Sequence, residues 1–136
     1  MLAAALPGCD SPPQEQPAQT AANIIRYYPV DEFDWSFLED YSIGVIRSEE
    51  ELAYVGRNVV SHPDFENNSI LLMKGTSNYT VTNISAGLNT ANSGYRLNIS
   101  IGLSSETGTN EWKIAMLSTA IPYSSGVLLN LKYIYP

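Results

Sequence analysis

The chain has 136 residues, 44% of them hydrophobic, with seven Lys and Arg against fourteen Asp and Glu and a net charge of −7. This length and composition fit one modest globular domain, and the scattered bases give no basic patch for nucleic acid. A single histidine and a single cysteine leave no zinc ligand set and no disulfide within the chain, so we expect no metal and no cofactor. No apolar run is long enough to span a bilayer.

The cysteine closes an apolar stretch at the N-terminus. Leu6-Pro-Gly-Cys9 resembles the lipobox of bacterial lipoproteins, in which Leu at −3 and Gly at −1 precede the lipidated cysteine. The resemblance implies that Cys9 carries the lipid and that residues 1–9 are the end of a lipoprotein signal peptide. We expect the true translation start to lie upstream, because no Lys or Arg precedes Cys9. The alternative is an unstructured N-terminus that contains a cysteine.

Residues 10–22 are rich in Pro, Gln and Ala and have no apolar periodicity. Such a composition is typical of an extended tether. A single folded domain is expected over residues 23–136.

The first half of that domain holds ten of the fourteen acids, between Asp31 and Glu66. An acidic stretch of this kind is typical of solvated surface, with a cation or partner site as the alternative. The pattern predicts strands over residues 23–28 and 41–46, separated by a loop or short turn at residues 31–37.

A helix is predicted to begin at Ser48-Glu-Glu-Glu51, which has the form of a capping box. Three acids in its first turn suit the helix dipole. Leu52, Val55 and Val59 give the helix an apolar stripe, and His62-Pro63 is expected to end it.

From Ser69 onward the apolar period changes to two, and turn-rich segments recur between apolar runs. The strongest alternation sets Tyr95, Leu97 and Ile99 against Arg96 and Asn98, which predicts one buried face and one wet face. Strands are predicted at residues 69–74, 79–84, 95–103, 111–118 and 127–135, with loops at 86–94, 104–110 and 121–126. The fold class is therefore α+β: one short helix followed by an antiparallel meander of about five strands, either an open sheet or a half-open barrel.

Several short motifs of this region resemble those of small uncharacterised lipoproteins of the Bacteroidales. They are Asp64-Phe65, the apolar Leu71-Leu72 strand, Gly75-Thr76 and Trp112-Lys-Ile-Ala115, and the resemblance covers roughly residues 41–136. The order of helix, Asp-Phe strand entry and meander also resembles the C-terminal domain of protease-complex stabilising lipoproteins. The first resemblance implies a cell-envelope location, and neither implies a catalytic motif.

Catalysis has little support in the residue inventory. Any Ser-His-Asp arrangement would have to use His62, which lies beside Pro63 in an expected loop, and there is no G-x-S-x-G elbow. Acids such as Asp31, Asp34 and Glu39 are numerous enough for glycoside hydrolysis only if they converge in one cleft. We expect no catalytic residues and no enzymatic activity.

Aromatic residues cluster beside those acids. Candidate binding residues are Tyr27, Tyr28, Trp35 and Tyr41, whose rings are of the kind that stack on sugars. The simpler alternative is that these rings form a hydrophobic lid over the sheet.

We therefore expect a protein of the bacterial cell envelope, anchored to the membrane on its periplasmic or surface face through an N-terminal lipid. Its expected role is that of a non-catalytic protein-interaction module whose partner is another envelope protein. The alternative is an accessory lipoprotein that binds carbohydrate through surface aromatics. Nucleic acid is not an expected partner.

Overall fold

The computed structural model describes residues 22–92 and 94–136. The expected signal peptide and almost all of the expected tether lie outside these residues. Within them the chain forms a mostly antiparallel sheet and one short helix, as the sequence predicts, and the sheet is open rather than a half-open barrel. The elements are β1 (Ile24–Tyr27), a 3-10 turn (Val30–Glu32), β2 (Ile43–Ile46), α1 (Glu49–Val55), β3 (Asn68–Ala91), β4 (Gly94–Thr119) and β5 (Val127–Ile134).

A long hairpin of β3 and β4 dominates the fold. The two strands have 24 and 26 residues and pair antiparallel from Asn68 with Thr119 to Ala91 with Gly94. The predicted strands at 69–74 and 79–84 are therefore parts of one strand, as are those at 95–103 and 111–118. The expected loop at 86–94 is wrong, since only positions 92 and 93 separate the two strands. The expected loop at 104–110 is wrong because these residues lie within β4.

The physical reason for the missed hairpin tip lies in where its small polar residues point. Gly87 and Asn89 alternate with Ala86 and Leu88, and of these four Leu88 is buried. A strand with one face in water can carry Gly and Asn on that face without ending. The tight turn itself begins at Asn92, whose φ of +52° is one that asparagine tolerates well.

The hairpin bends where its register shifts, between Ser77 and Asn83. Beyond this bend the strands return over their own base. The hydroxyl of Tyr27 on β1 accepts a hydrogen bond from the amide of Ala86 at 3.1 Å, and the hydroxyl of Tyr133 on β5 donates to the carbonyl of Thr76 at 2.8 Å. We call residues 68–77 and 110–119 the proximal half of the hairpin, and residues 83–91 and 94–102 its distal half.

One hydrophobic cluster fills the space between the two halves. The proximal half contributes Leu71, Met73 and Met116, and the distal half contributes Leu97 and Ile99, each no more than 1% exposed. Apolar side chains of the short strands pack against the same cluster, among them Ile24, Ile43, Val45, Leu129 and Leu131. The fold is therefore held together by burial between two parts of the same hairpin.

A second cluster covers the opposite face of the proximal half. Ile70, Leu72 and Leu117 point into it and meet side chains of the N-terminal segment and the helix: Tyr28, Phe33, Trp35, Leu38, Ile46 and Leu52. The proximal half is thus buried on both faces. This explains why residues 69–73 are almost all apolar, and it confirms the prediction of a central strand there.

The helix begins as predicted and ends early. The hydroxyl of Ser48 accepts from the amide of Glu51 at 3.1 Å, while the carboxylate of Glu51 accepts from the amide of Arg47. The helix ends at Val55 rather than at His62-Pro63. The carbonyl of Val55 instead accepts from the amide of Asp34 at 2.8 Å, and Gly56 forms a bridge with Phe33. Pairing with the N-terminal segment therefore ends the helix.

The last strand departs from the antiparallel meander. β5 pairs parallel to β4, from Val127 beside Tyr95 to Ile134 beside Gly102. Its connection runs from the base of the hairpin, at Thr119, to a position near the tip. Seven residues reach at most about 25 Å, whereas a straight strand as long as β3 would extend about 80 Å. The parallel pairing is possible only because the hairpin bends back.

Candidate functional site

The structure separates the four aromatic residues that the sequence grouped as candidate binding residues. Tyr28 and Trp35 are 5% and 8% exposed and lie in the second hydrophobic cluster, so neither ring presents an open face for a sugar. Tyr27 and Tyr41 are 49% and 42% exposed. The hydroxyl of Tyr27 holds the amide of Ala86, whereas Tyr41 contacts Trp112 at the bend. The four do not form one surface.

The alternative of a hydrophobic lid is confirmed for Tyr28, Phe33 and Trp35. Their rings pack edge to face in sequence, with centroid distances of 5.6 Å and 6.4 Å. The indole nitrogen of Trp35 donates to the carbonyl of Val30 at 2.6 Å, which satisfies its buried N–H group.

Two of the titratable residues considered for catalysis, His62 and Asp34, have structural partners. His62 Nδ1 lies 2.7 Å from a carboxylate oxygen of Glu49, with both side chains at least half exposed. The carboxylate of Asp34 accepts from the amide and hydroxyl of Ser36, which hold the pKa of Asp34 below its usual value. Asp31 and Glu39 are exposed. In residues 22–92 and 94–136 no three acidic, histidine or cysteine side chains are grouped for a metal ion.

A cleft of about 240 Å³ opens at the bend of the hairpin. We call it the tyrosine cleft. Its side chains come from the segment before β2, from both strands of the bend and from the C-terminal end of the chain, and none of them is charged: Tyr41, Thr76, Ser77, Asn78, Tyr79, Leu103, Tyr133 and Tyr135.

Hydrogen bonds hold one wall of the cleft rigid. The hydroxyls of Tyr41 and Tyr133 lie 3.2 Å apart, and each also donates to the carbonyl of Thr76 at 2.8 Å. The indole nitrogen of Trp112 donates to the hydroxyl of Tyr133 at 3.2 Å from beneath. This network joins β3, β4, β5 and the segment before β2 at one point, so the cleft is preformed.

A second aromatic pair also lines the cleft. The rings of Tyr79 and Tyr135 meet edge to face at 5.7 Å, and Tyr135 is 60% exposed. Ser77 both donates to the carbonyl of Tyr79 and accepts from its amide, which fixes the backbone at the first register shift. The bend thus brings two tyrosine pairs to one opening.

Two backbone features permit this arrangement. A Cβ on Gly75 would lie 2.5 Å from the Trp112 ring and 2.7 Å from the Tyr41 ring, so only glycine lets both rings approach. Tyr41 has a φ of +66°, a conformation that a bulky residue adopts at an energetic cost. Its amide donates to the carbonyl of Lys74 at 2.8 Å and holds it there. Strain of this kind is concentrated at functional sites.

The two linked hydroxyls differ in acidity. Hydrogen bonding with the side chains of Thr76 and Tyr133 lowers the pKa of Tyr41 below its ordinary value. Burial, together with the hydrogen bond to Tyr41, raises the pKa of Tyr133 to about 12. Tyr133 therefore stays protonated at neutral pH and remains a donor to Thr76. The cleft offers aromatic surface, hydroxyls and an amide, which suit an uncharged ligand group.

Sequence reasoning found one residue of this cleft, Tyr41, and missed the others. The pattern predicts Tyr79, Tyr133 and Tyr135 as strand residues, but Tyr135 follows the end of β5. These residues meet only because the hairpin bends and β5 pairs parallel to β4. Neither the bend nor the parallel pairing has a local sequence signal. Gly75, which follows the apolar run of β3, is the one sequence feature that indicates a close approach of other groups to this strand.

No family model matches the chain, and no curated protein or solved structure matches it either. The helix found in the described part of the chain is too short to cross a membrane.

Proposed function

We propose that the chain is a lipid-anchored, non-catalytic interaction module of the bacterial cell envelope, akin to the small Bacteroidales lipoproteins. Cys9 carries the anchor and residues 10–22 hold the domain away from the membrane. The tyrosine cleft receives an apolar or aromatic side chain of a partner envelope protein. The observation that carries this proposal is the cleft itself, a preformed and uncharged opening between two tyrosine pairs.

Tyrosine is among the residues that contribute most to protein interfaces, because its ring buries much apolar area while its hydroxyl keeps a polar contact. Tyr135 and Tyr41, which line the cleft, are 60% and 42% exposed, and the hydrogen bonds of Tyr41 keep its ring in place. Little conformational freedom is therefore lost when a partner binds.

Photo-crosslinking tests this proposal. A photoreactive phenylalanine derivative replaces Tyr135 in the lipid-anchored protein, and illuminated membranes of its host are examined by mass spectrometry. Tyr54 is the matched control, since it is a tyrosine on α1 that is 89% exposed and lies outside the cleft. We expect one stoichiometric partner that is not a second copy of the chain from position 135, and none from position 54. Labelled protein that remains membrane-bound and crosslinks to no partner at position 135 would overturn the proposal.

The same cleft supports a second candidate function, the binding of carbohydrate. The rings of Tyr79 and Tyr135 lie beside the hydroxyls of Thr76 and Ser77 and the amide of Asn78. Aromatic rings with neutral hydrogen-bonding groups around them suit a sugar, whose faces are apolar and whose edges carry hydroxyls.

Fluorescence distinguishes this candidate. Because Trp112 bonds to Tyr133 beneath the cleft, a bound glycan is expected to change tryptophan emission. Tyr135→Ala should abolish that change and Tyr54→Ala should leave it intact. An unchanged emission across a broad glycan panel would exclude carbohydrate and leave the protein partner.

A further inference from the structure

The strand β5 lies at the edge of the sheet. It pairs with β4 on one side, and in residues 22–92 and 94–136 no strand pairs with its other side. Its side chains alternate strictly between half-buried and exposed. The exposed row consists of Leu128, Asn130, Lys132 and Ile134.

An edge strand presents unpaired backbone N–H and C=O groups, and exposed leucine and isoleucine side chains on it favour pairing with another strand. Leu128 is 63% exposed and Ile134 is 47% exposed, and they lie at the two ends of the row. Lys132 is the only charged side chain of β5, while ten of the fourteen acids of the chain lie between residues 31 and 66. The edge therefore carries no acidic side chain.

We propose that this edge binds the same edge of a second copy of the chain, antiparallel about a two-fold axis at Leu131. Residues that face each other directly across an antiparallel pair lie on the same side of the sheet. With the axis at Leu131, Leu128 of one copy faces Ile134 of the other. Asn130 then faces Lys132 of the other copy.

Neighbouring registers of the same pairing are worse. An axis at Lys132 places the two ammonium groups opposite each other, and an axis at Asn130 places Lys132 opposite Leu128. The register at Leu131 matches apolar with apolar residues twice and lysine with amide twice. An isologous contact of this kind is self-complementary and closes as a dimer.

The amide group of Asn130 is already oriented for this contact. Its nitrogen donates to the side-chain oxygen of Asn98 at 2.9 Å, and Asn98 in turn donates to Asn89 at 2.7 Å. The oxygen of Asn130 is then the acceptor for the ammonium of Lys132 from the second copy. A contact of eight residues per copy is small, so we expect a weak dimer in solution that anchoring in one membrane strengthens.

The half-buried row of β5 would extend the hydrophobic core across the dimer; it consists of Val127, Leu129, Leu131 and Tyr133. Leu131 meets its own counterpart, and Leu129 faces Tyr133 of the second copy. Val127 of the second copy comes to lie beside Tyr135 at the rim of the tyrosine cleft. The dimer would therefore place two clefts on one continuous sheet.

Sedimentation analysis of the full chain tests the proposal, with Cys9→Ser in every protein so that no disulfide imitates a dimer. We expect a concentration-dependent dimer. Asn130→Glu should lower its dissociation constant about tenfold and Asn130→Lys should raise it about tenfold, because the two symmetric contacts with Lys132 gain an opposite charge in the first variant and a like charge in the second. Asn83→Glu and Asn83→Lys are the controls, because Asn83 is an exposed residue of β3. Both should leave the dissociation constant of the dimer unchanged. A monomer at all concentrations, or equal effects of Glu and Lys at position 130, would overturn the proposal.

A disulfide test checks the register independently. Leu128→Cys with Ile134→Cys should give a covalent dimer upon oxidation, whereas either change alone should not. The two positions are six residues apart along one extended strand, too far for a disulfide within one copy. The absence of covalent dimer from the double variant would exclude the register at Leu131. None of these measurements depends on whether the cleft binds its partner.

Discussion

The proximal and distal halves of the β3–β4 hairpin consist of the same two strands in different surroundings. The proximal half is buried on both faces, by the lid on one side and by the distal half on the other. The distal half is buried on one face and presents Asn, Ser and Gly to solvent on the other. The difference in environment, and not in strand geometry, explains why residues 70–73 and 114–117 of the proximal half are continuously apolar while the distal half alternates.

The cleft lies where the two environments meet. Register shifts between Ser77 and Asn83 bend the strands, and the rings of Tyr41, Tyr79, Tyr133 and Tyr135 gather on the inside of the bend. A flat hairpin of the same sequence would keep Tyr41 and Tyr133 apart. The candidate site therefore lies at the boundary between the two halves. Substitutions that affect the halves unequally test this difference in environment.

The largest expected difference is between a buried leucine of the proximal half and an exposed leucine of β5, the strand that pairs with the distal half. Leu72 is fully buried in the proximal half, and Leu72→Ala should reduce the free energy of unfolding by about 2–5 kcal/mol through lost burial and a cavity. Leu128 on β5 is 63% exposed, and Leu128→Ala should change it by no more than about 0.5 kcal/mol. Urea unfolding at low protein concentration measures both. Equal losses would contradict the two-environment account.

Two glycines of β3 offer a second matched pair. A Cβ on Gly75 collides with Trp112 and Tyr41, so Gly75→Ala should cost about 1–3 kcal/mol. A Cβ on Gly87 meets nothing within 4 Å, so Gly87→Ala should be neutral or stabilise by about 0.5–1 kcal/mol.

Thermal unfolding of the two glycine variants, with near-UV circular dichroism to follow the rings, provides the measurement. Gly75→Ala should also weaken the tryptophan signal. If Gly75→Ala is as stable as the parent protein, the rings do not approach the strand as described.

The amount of this fold that the sequence predicts depends on how local each feature is. Alternation and capping are local, so the helix start at Ser48, the central strand at residues 69–74 and the wet face beyond Tyr95 are confirmed. The bend and the parallel return of β5 depend on contacts between residues more than fifty apart, such as Tyr133 with Thr76. Composition even misleads at residues 104–110, where exposed small residues continue a strand that the pattern predicts as a loop.

The candidate site shows the same limit. Tyr41 was found because it lies in an aromatic-rich segment, whereas Trp35, from that same segment, is a core residue. Partners of Tyr41 come from β3 and β5, and no sequence spacing relates them.

High pH should weaken the hydrogen-bond network of Tyr133, which joins β5 to the proximal half. The pKa of Tyr133 is about 12 in the folded chain against an ordinary 10, so the folded state holds this proton longer. Its stabilising contribution is complete below pH 10 and is lost as the pH rises towards 12. Burial raises the pKa of Tyr28 as well, which acts in the same direction, whereas the lowered pKa of Tyr41 opposes it.

We expect the free energy of unfolding to fall over this range, and to fall less steeply in Tyr133→Phe. Urea unfolding across the range gives the slope, and tyrosinate absorbance follows the ionisation. A steeper fall in Tyr133→Phe than in the parent protein would refute the assignment.

The smallest expected effect concerns the polar face of the distal half. Asn98 links Asn89 and Asn130 by hydrogen bonds of 2.7 Å and 2.9 Å in contact with solvent. Asn98→Ala should cost no more than about 1 kcal/mol, because water replaces exposed hydrogen bonds. Urea unfolding checks this, and a loss as large as that of Leu72→Ala would show that this face is covered.

The central claim is that the bend brings β5 onto the base of the hairpin and so builds the tyrosine cleft. The most direct test is a nuclear Overhauser measurement between the indole N–H proton of Trp112, assigned with Trp35→Phe, and the ring protons of Tyr133. The account predicts a strong cross-peak, because the indole nitrogen and the tyrosine hydroxyl lie 3.2 Å apart. In a straight hairpin Ile101, the pairing partner of Tyr133, would be about 35 Å from Trp112, and the absence of the cross-peak in the folded protein would contradict the account.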